Sequence, residues 1–320
     1  MASLISCCAS ADTFKVSLLF EIMELRHIRY FIAVAEELNF TRAAARVGIG
    51  QPPLSRQIRD LEEETGTPLF LRLPHGVQLT EAGMAFLPEA RALLAQEERA
   101  KKAAQLAALG EMGSLRVGST GSAAFHPRMA ATVRRFTKMH PGVDLQLREE
   151  PTARLLRMLE DGEVDVIFVR PGKTPPPKGV QMVELDKEPM LLVLPYGFAT
   201  HEEVSRGLPL KAIAREPLIL FPHSDGPGFH KEILSACRKA GFTPVPGQEA
   251  PQMTSLAVLV AAGLGVSLVP ASLAQIQVPG VIYAPIGKGP APVSRLCVAV
   301  REGRVTPAMQ NFLTLLSPAA

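Results

Sequence analysis

NFTRAAARVGIGQPPLSRQIRDL, residues 39–61, decides how the chain is read, because it describes two short helices joined by a tight turn. Thr41 stands where its hydroxyl can cap the first helix by accepting from the free amides of the opening turn. Ala43, Ala44 and Ala45 give that helix a small-residue face, and Gly48 can end it in the left-handed conformation without a Cβ penalty. Gln51, Pro52 and Pro53 open the second helix, where proline is tolerated because first-turn amides have no intrahelical partner. Ile49, Leu54, Ile58 and Leu61 recur at helical spacing as its buried side, which leaves Ser55, Arg56 and Arg59 on the open side.

Charge follows the same pattern. Between Leu38 and Arg59 stand four arginines, Arg42, Arg46, Arg56 and Arg59, and no acid, while Glu36, Glu37 and Asp60 bracket the run. The whole chain of 320 residues carries a net charge of only +3. A cationic face this localised suggests a polyanion met at one place. A solvated amphipathic helix pair accounts for the periodicity alone. A helix-turn-helix that sets its second helix in a DNA major groove accounts for the charge as well.

The longer run MELRHIRYFIAVAEELNFTRAAARVGIGQPPLSRQIRDLEEETGTPLF, residues 23–70, closely resembles, without a gap, the N-terminal domain of LysR-type bacterial transcriptional regulators. The resemblance extends more weakly over the rest of the chain. It implies an all-α winged helix-turn-helix at residues 23–80 and a long linker helix at 81–110 that pairs two subunits. An α/β bilobed domain like the periplasmic binding proteins would follow at 114–320, with lobe I at about 114–188 and 288–320 and lobe II at about 189–287. By this resemblance Gln51, Pro52, Pro53, Ser55 and Arg56 approach the groove and Arg42 the phosphate backbone; Thr41 and Arg59 are placed with this DNA-facing set, and Arg72 is available for phosphate. The implied partners are a double-stranded operator, a small effector, a second copy in a dimer and then a homotetramer, and RNA polymerase. No cofactor is implied.

Residues 1–22 do not match the family, whose members usually begin near the MELRH motif. Asp12 and Lys15 interrupt the apolar part and no basic region precedes it, which argues against a secretory signal. An upstream start codon, a disordered tail and an added regulatory segment all remain open. Ile28, Phe31, Ile32, Ala35 and Leu38 then predict a first helix over 25–38 that packs under the helix-turn-helix. Leu69 to Arg72 and Val77 to Leu79 read as a hairpin around Pro74, His75 and Gly76, the wing. Relatives often carry arginine at the wing tip; His75, largely neutral, gives less to a groove whose attraction is electrostatic. Thr80 and Glu81 open a helix to about Leu109, with Pro88 marking a kink or the true first turn, and Gly110 and Gly113 opening a hinge.

Length implies two or three domains. With 47% hydrophobic and 20% charged residues the composition is that of a soluble globular protein. No apolar run reaches a membrane span. Cys7, Cys8, Cys237 and Cys297 show neither metal spacing nor a disulfide framework, which fits a reducing cytoplasm.

From Ser114 strands and helices alternate. Residues 115–117, 143–147 and 164–169 predict strands, with helices beginning near Ser122 and Thr152. A second block predicts strands at 190–194, 218–221 and 266–269, with helices at 229–240 and 252–262, before a returning strand at 296–300 and a last helix at 307–316. Strands at helical separation imply parallel sheet. In such sheets ligands bind beyond the carboxyl ends of strands, where Ser122 and Thr152 bring hydroxyls and free helix amides. Those amides favour an anion, so a carboxylate is the expected effector; capping of their own helices is the other reading of the two hydroxyls. Phe221 and Phe229 are expected to cover an aromatic or apolar body, and Arg170 to supply charge. The resemblance is greatest to regulators of aromatic-compound breakdown, which implies an aromatic acid or a ring-cleavage diacid.

Catalysis finds little support. The seven histidines lack metal spacing, and neither a G-x-S-x-G elbow nor a nucleotide loop occurs. His223 and His230, near Asp225, allow a metal reading, but the adjacent Pro222, Gly226, Pro227 and Gly228 describe an irregular loop. A solute-binding receptor with the N-terminal region as an interaction module is the alternative to a regulator. It conflicts with the absence of a leader ahead of the DNA-binding motif.

Overall fold

The computed structural model describes residues 23–74 and 76–316, so the extension 1–22, Cys7 and Cys8 within it, and the wing-tip His75 lie outside the described residues. Two compact units divide between Ala103 and Ala104. The first contains α1 (Leu25–Glu37), α2 (Phe40–Val47), α3 (Gln51–Glu64), the hairpin β1 (Phe70–Leu73) and β2 (Gly76–Leu79), and most of α4 (Glu81–Ala108). Ile28, Phe31 and Val34 of α1 close on Ala43 and Ala44 of α2 and on Leu54, Ile58 and Leu61 of α3, all buried. Phe31 also meets Phe70 and Phe86 at ring separations of 5.2 and 5.0 Å, which ties the hairpin and α4 to the three-helix core.

Caps set the element boundaries. Asn39, not Thr41, caps α2: its side-chain oxygen accepts from the amides of Thr41 and Arg42 at 2.9 and 3.0 Å. Asparagine caps as well as threonine, and starting two residues earlier lets Phe40 join the helix and pack on Phe70. Gly48 ends α2 at φ 74° as expected. Leu38 ends α1 in the left-handed region at φ 49°, the one such non-glycine among the described residues, and its carbonyl accepts from Val77 of β2. Pro88 lies inside α4, not in its first turn, so the Met84 carbonyl loses its intrahelical donor.

The start of α4 presses on the wing. A Cβ on Gly83 would stand 2.1 Å from the Leu69 carbonyl oxygen and 2.9 Å from the Leu79 side chain. Gly83→Ala is therefore expected to cost on the order of 1–3 kcal/mol despite alanine's better helix propensity. Thermal unfolding of the variant checks this, and an unchanged or higher midpoint would show that the contact yields.

In the second unit, β3 (Gly113–Ser119), α5 (Gly121–Ala124), α6 (Pro127–Met139), β4 (Val143–Glu149), α7 (Thr152–Asp161) and β5 (Val166–Val169) form one lobe. β6 (Val180–Pro195) then runs unbroken into the other. That lobe holds α8 (His201–Arg206), β7 (Pro217–Leu220), α9 (Pro227–Lys239), β8 (Val245–Glu249), α10 (Met253–Ala261), β9 (Ser267–Pro270) and β10 (Val281–Pro285). β11 (Val293–Arg301) returns, and α11 (Pro307–Thr314) closes the chain. Leu115, Val117, Phe136, Phe168 and Phe312 centre the first lobe's core; Leu192, Leu194, Ile233 and Leu268 centre the second's.

The sheet order is β10-β6-β11-β5-β3-β4, with β9 also on β6. Among the described residues the expected parallel arrangement holds for β4, β3 and β5, for the pair β7 and β8, and in single bridges from Leu218 to Val266 and from Leu208 to Ile286. β11 is antiparallel to both β5 and β6, and β6 to β9 and β10. The physical reason is connectivity: β6 carries the chain across the lobes and β11 carries it back, so neighbours on that path run oppositely. The expected lobe boundary at 188 and 189 consequently falls within one strand. Among the described residues no helix is long and apolar enough to cross a membrane.

Candidate functional site

In the N-terminal unit, Thr41, Arg42, Gln51, Pro52, Pro53, Arg56, Arg59 and Arg72 are exposed. Ser55 is not on the open side. It is 5% exposed, one residue past Leu54 on the flank of the buried stripe, and its hydroxyl accepts from Gln51 Nε2 at 2.9 Å. The arginine run also divides. Arg46 pairs with Glu36 at 2.8 Å and with Glu37, and Arg42 pairs with Glu37 at 3.4 Å. Those acids, read as brackets of the cationic run, absorb part of its charge. Arg56 and Arg59 have no ion pair among the described residues, so they carry the free charge of α3. Arg72 lies 5.3 Å from the Phe40 ring centroid, held at the hairpin by a cation–π contact.

Two residues overlooked in the sequence fix this surface. Glu62 Oε1 accepts from the amides of Leu69 and Phe70 at 2.8 and 3.0 Å, pinning the wing's first strand to the end of α3. Gln57 lies between buried His27, 3.0 Å away, and Asp60, to which it donates at 3.1 Å. Only their helical register hinted at either role.

In the second unit a cavity of about 280 Å³ opens between the lobes, and Ser122, Thr152, Arg170, Phe221 and Phe229 all line it. Phe221 and Phe229 stack at 5.8 Å with 5° between their planes, forming one apolar wall. Neither hydroxyl residue is a cap. Thr120 caps α5, accepting from the Ala123 amide, while Thr152 follows Pro151, so the opening amides of α7 have no side-chain cap. Those amides and the Thr152 hydroxyl remain for a ligand, with the Ser122 hydroxyl held at 3.5 Å from Thr120 Oγ1 beside them.

Arg170 does not supply free charge. It is 2% exposed and pairs with Glu188 at 2.6 Å, while it donates to Ser294 Oγ at 2.6 Å, to Ser272 Oγ at 3.3 Å and to the Ser122 carbonyl at 3.2 Å. Burial pulls its pKa below the ordinary guanidinium range, and the Glu188 carboxylate opposes that shift. A cation this deep in the protein needs its own counter-ion, which a reading of strand ends could not reveal. The lining also includes Glu149, Glu150 and Asp225, unforeseen in the sequence, so the cleft is acidic apart from this internally paired arginine.

His126 stands at the same cluster. It is buried, its Nδ1 accepts from the Arg128 amide at 3.2 Å as the cap of α6, and its Nε2 lies 3.6 Å from Asp186. Burial lowers its pKa from 6.5 against the pull of Glu188. The unfolded chain then binds more protons than the folded one, so stability rises with pH and is lost as pH falls below the unfolded value of about 6.5. Protonation also removes the Nδ1 acceptor. Urea unfolding at pH 7.5 and 5.5 should show this loss in the wild type and less of it in His126→Asn, which caps without titrating; equal pH dependence would contradict it. The His223 and His230 rings meet edge to face at 5.2 Å, and among the described residues no group of three or more His, Cys, Asp or Glu is placed to hold a metal. Buried Cys237 and Cys297 are each pushed up to about 11, which leaves them unreactive thiols.

A winged helix-turn-helix joined through a long helix to a bilobed, cleft-bearing domain defines a ligand-responsive DNA-binding protein. The bacterial regulatory helix-turn-helix domain of the LysR family matches residues 25–84, and the LysR substrate binding domain matches residues 108–320. The chain belongs to the LysR family of bacterial transcriptional regulators. It is 37% identical over 292 residues to the uncharacterized regulator YnfL of Escherichia coli K12, covering 91% of this chain and 96% of that one. With the regulator BudR of Raoultella terrigena it shares 36% over 294 residues, 92% of this chain and all of the other. Its structure is similar to full-length CbnR in complex with its target DNA, with a TM-score of 0.79, 28% identity and coverage of 92% and 98%. The receptor-type alternative is not favoured by these relationships.

Proposed function

We propose that this regulator reads its operator through α3, with Arg56 and Arg59 as the free cations of the recognition surface and Arg42 and Arg72 on phosphate. Thr41, Gln51, Pro52 and Pro53 lie at the same surface; Ser55 acts by holding Gln51. Exposed Leu93 and half-buried Leu94 and Leu106 leave α4 an apolar stripe, which supports pairing with a second copy and, by family resemblance, a tetramer. As a reader of chromosomal operators it works in the cytoplasm and performs no catalysis.

The effector is a small monocarboxylate with an aromatic body. The observation that carries this is the cavity itself: two hydroxyls and the uncapped start of α7 on one side, and the stacked Phe221 and Phe229 on the other. A single carboxylate can be met by hydroxyls and helix amides. A diacid would place a second negative charge among Glu149, Glu150 and Asp225 with no free cation to receive it. Calorimetry with benzoate and a six-carbon diacid tests the assignment. Ser122→Ala and Thr152→Ala should each cost about 1 kcal/mol of benzoate affinity and leave operator affinity without ligand unchanged. Tighter binding of the diacid, or unaltered affinity in the double variant, would sink it.

A further inference from the structure

On another flank of α9 lies a second and larger cavity, of about 660 Å³. Lys173, Lys231, Arg238, Lys239 and Arg295 line it against the one carboxylate of Glu232. Cations in this lining outnumber carboxylates five to one. Lys173, Lys231, Arg238 and Lys239 have no ion pair among the described residues, while Arg295 Nε lies 3.4 Å from Glu184. One atom inside this lining, Glu232 Oε2, is buried without a hydrogen-bond partner. It asks for a donor.

We propose that this cavity binds a phosphate ester bearing free hydroxyl groups, of the size of a sugar phosphate or a nucleoside monophosphate. The phosphate supplies acceptors for the arginine and lysines, and a hydroxyl donates to Glu232, which a bare oxyanion cannot satisfy. The volume is that of an ordinary small-ligand site. The bound ester touches both lobes and the chain between them: Lys173 follows β5, Arg295 lies on β11, and the remaining cations lie on α9. Beside it Gly172 and Gly228 meet backbone to backbone; a Cβ on Gly228 would come 2.0 Å from the Pro171 carbonyl oxygen. The ester thus braces the lobes at a pivot whose other side carries Phe229 into the first cavity. This second input is independent of what the first cavity takes.

Calorimetry on the full chain with ribose 5-phosphate, AMP, ribose and sulfate at matched ionic strength tests it. One or both esters should bind, ribose should not, and Lys173→Gln with Lys231→Gln should weaken the ester about tenfold. Both lysines are exposed, so the variant folds, and Ser122→Ala should leave ester binding unchanged. The better of the two esters identifies the source as nucleotide or sugar phosphate. Sulfate binding as tightly as either ester, equal affinity in the double lysine variant, or no ester binding below about 10 mM would each overturn the proposal.

Discussion

Arg170→Ala is expected to cost about 3–5 kcal/mol of the C-terminal unit's stability, because it strands the Glu188 carboxylate in a site where both partners are nearly inaccessible. Glu188 would keep only the Ser272 amide and hydroxyl as donors. The Ser122 carbonyl, Ser272 hydroxyl and Ser294 hydroxyl would each lose a donor as well. Removing both charges, as Arg170→Met with Glu188→Leu, should recover much of the loss, since the penalty lies in the unpaired charge. Urea unfolding followed by circular dichroism compares the three proteins. A loss below about 1 kcal/mol in Arg170→Ala would mean the arginine is not a strut and return it to the role of ligand-binding cation.

Arg56→Ala should lower affinity for the preferred operator by about 1–3 kcal/mol if Arg56 reads a base edge, and relax selection at one base pair. Arg42→Ala should act differently, weakening all sequences alike and flattening the salt dependence, with a smaller effect because Glu37 already engages that guanidinium. Affinity measured against a selected operator and against unrelated DNA separates the two roles. Equal affinities for wild type and Arg56→Ala on both DNAs would remove Arg56 from the interface.

The N-terminal unit was largely legible in the sequence because its signals are local. The α3 stripe, Gly48 and the first-turn prolines act within a few residues of where they stand. What local pattern could not supply was competition between neighbours: Asn39 took the cap from Thr41, and Ser55 fell just inside the stripe it borders. In the C-terminal unit Ser122 and Thr152 follow from one rule about strand ends, Arg170, Phe221 and Phe229 were expected to face them, and all five line one cavity. Their chemistry was less legible, since the partner of Arg170 comes from β6 and the acids of the lining from the end of β4 and from the loop before α9. The antiparallel crossing strands escaped for the same reason. The first half of β6, QMVELDKE, alternates with charge and gives no sign that it continues into the buried LLVLP.

Ligand in the cleft and operator on α3 are expected to be coupled, and a titration measures that coupling. Benzoate affinity should be measured for the full chain alone and saturated with its selected operator. Linkage requires that a ligand which alters operator binding be altered by operator to the same degree, so the two benzoate affinities should differ by about fivefold or more. Affinities that agree within about twofold would show cleft and recognition helix to be energetically independent, so that ligand could not regulate DNA binding through them.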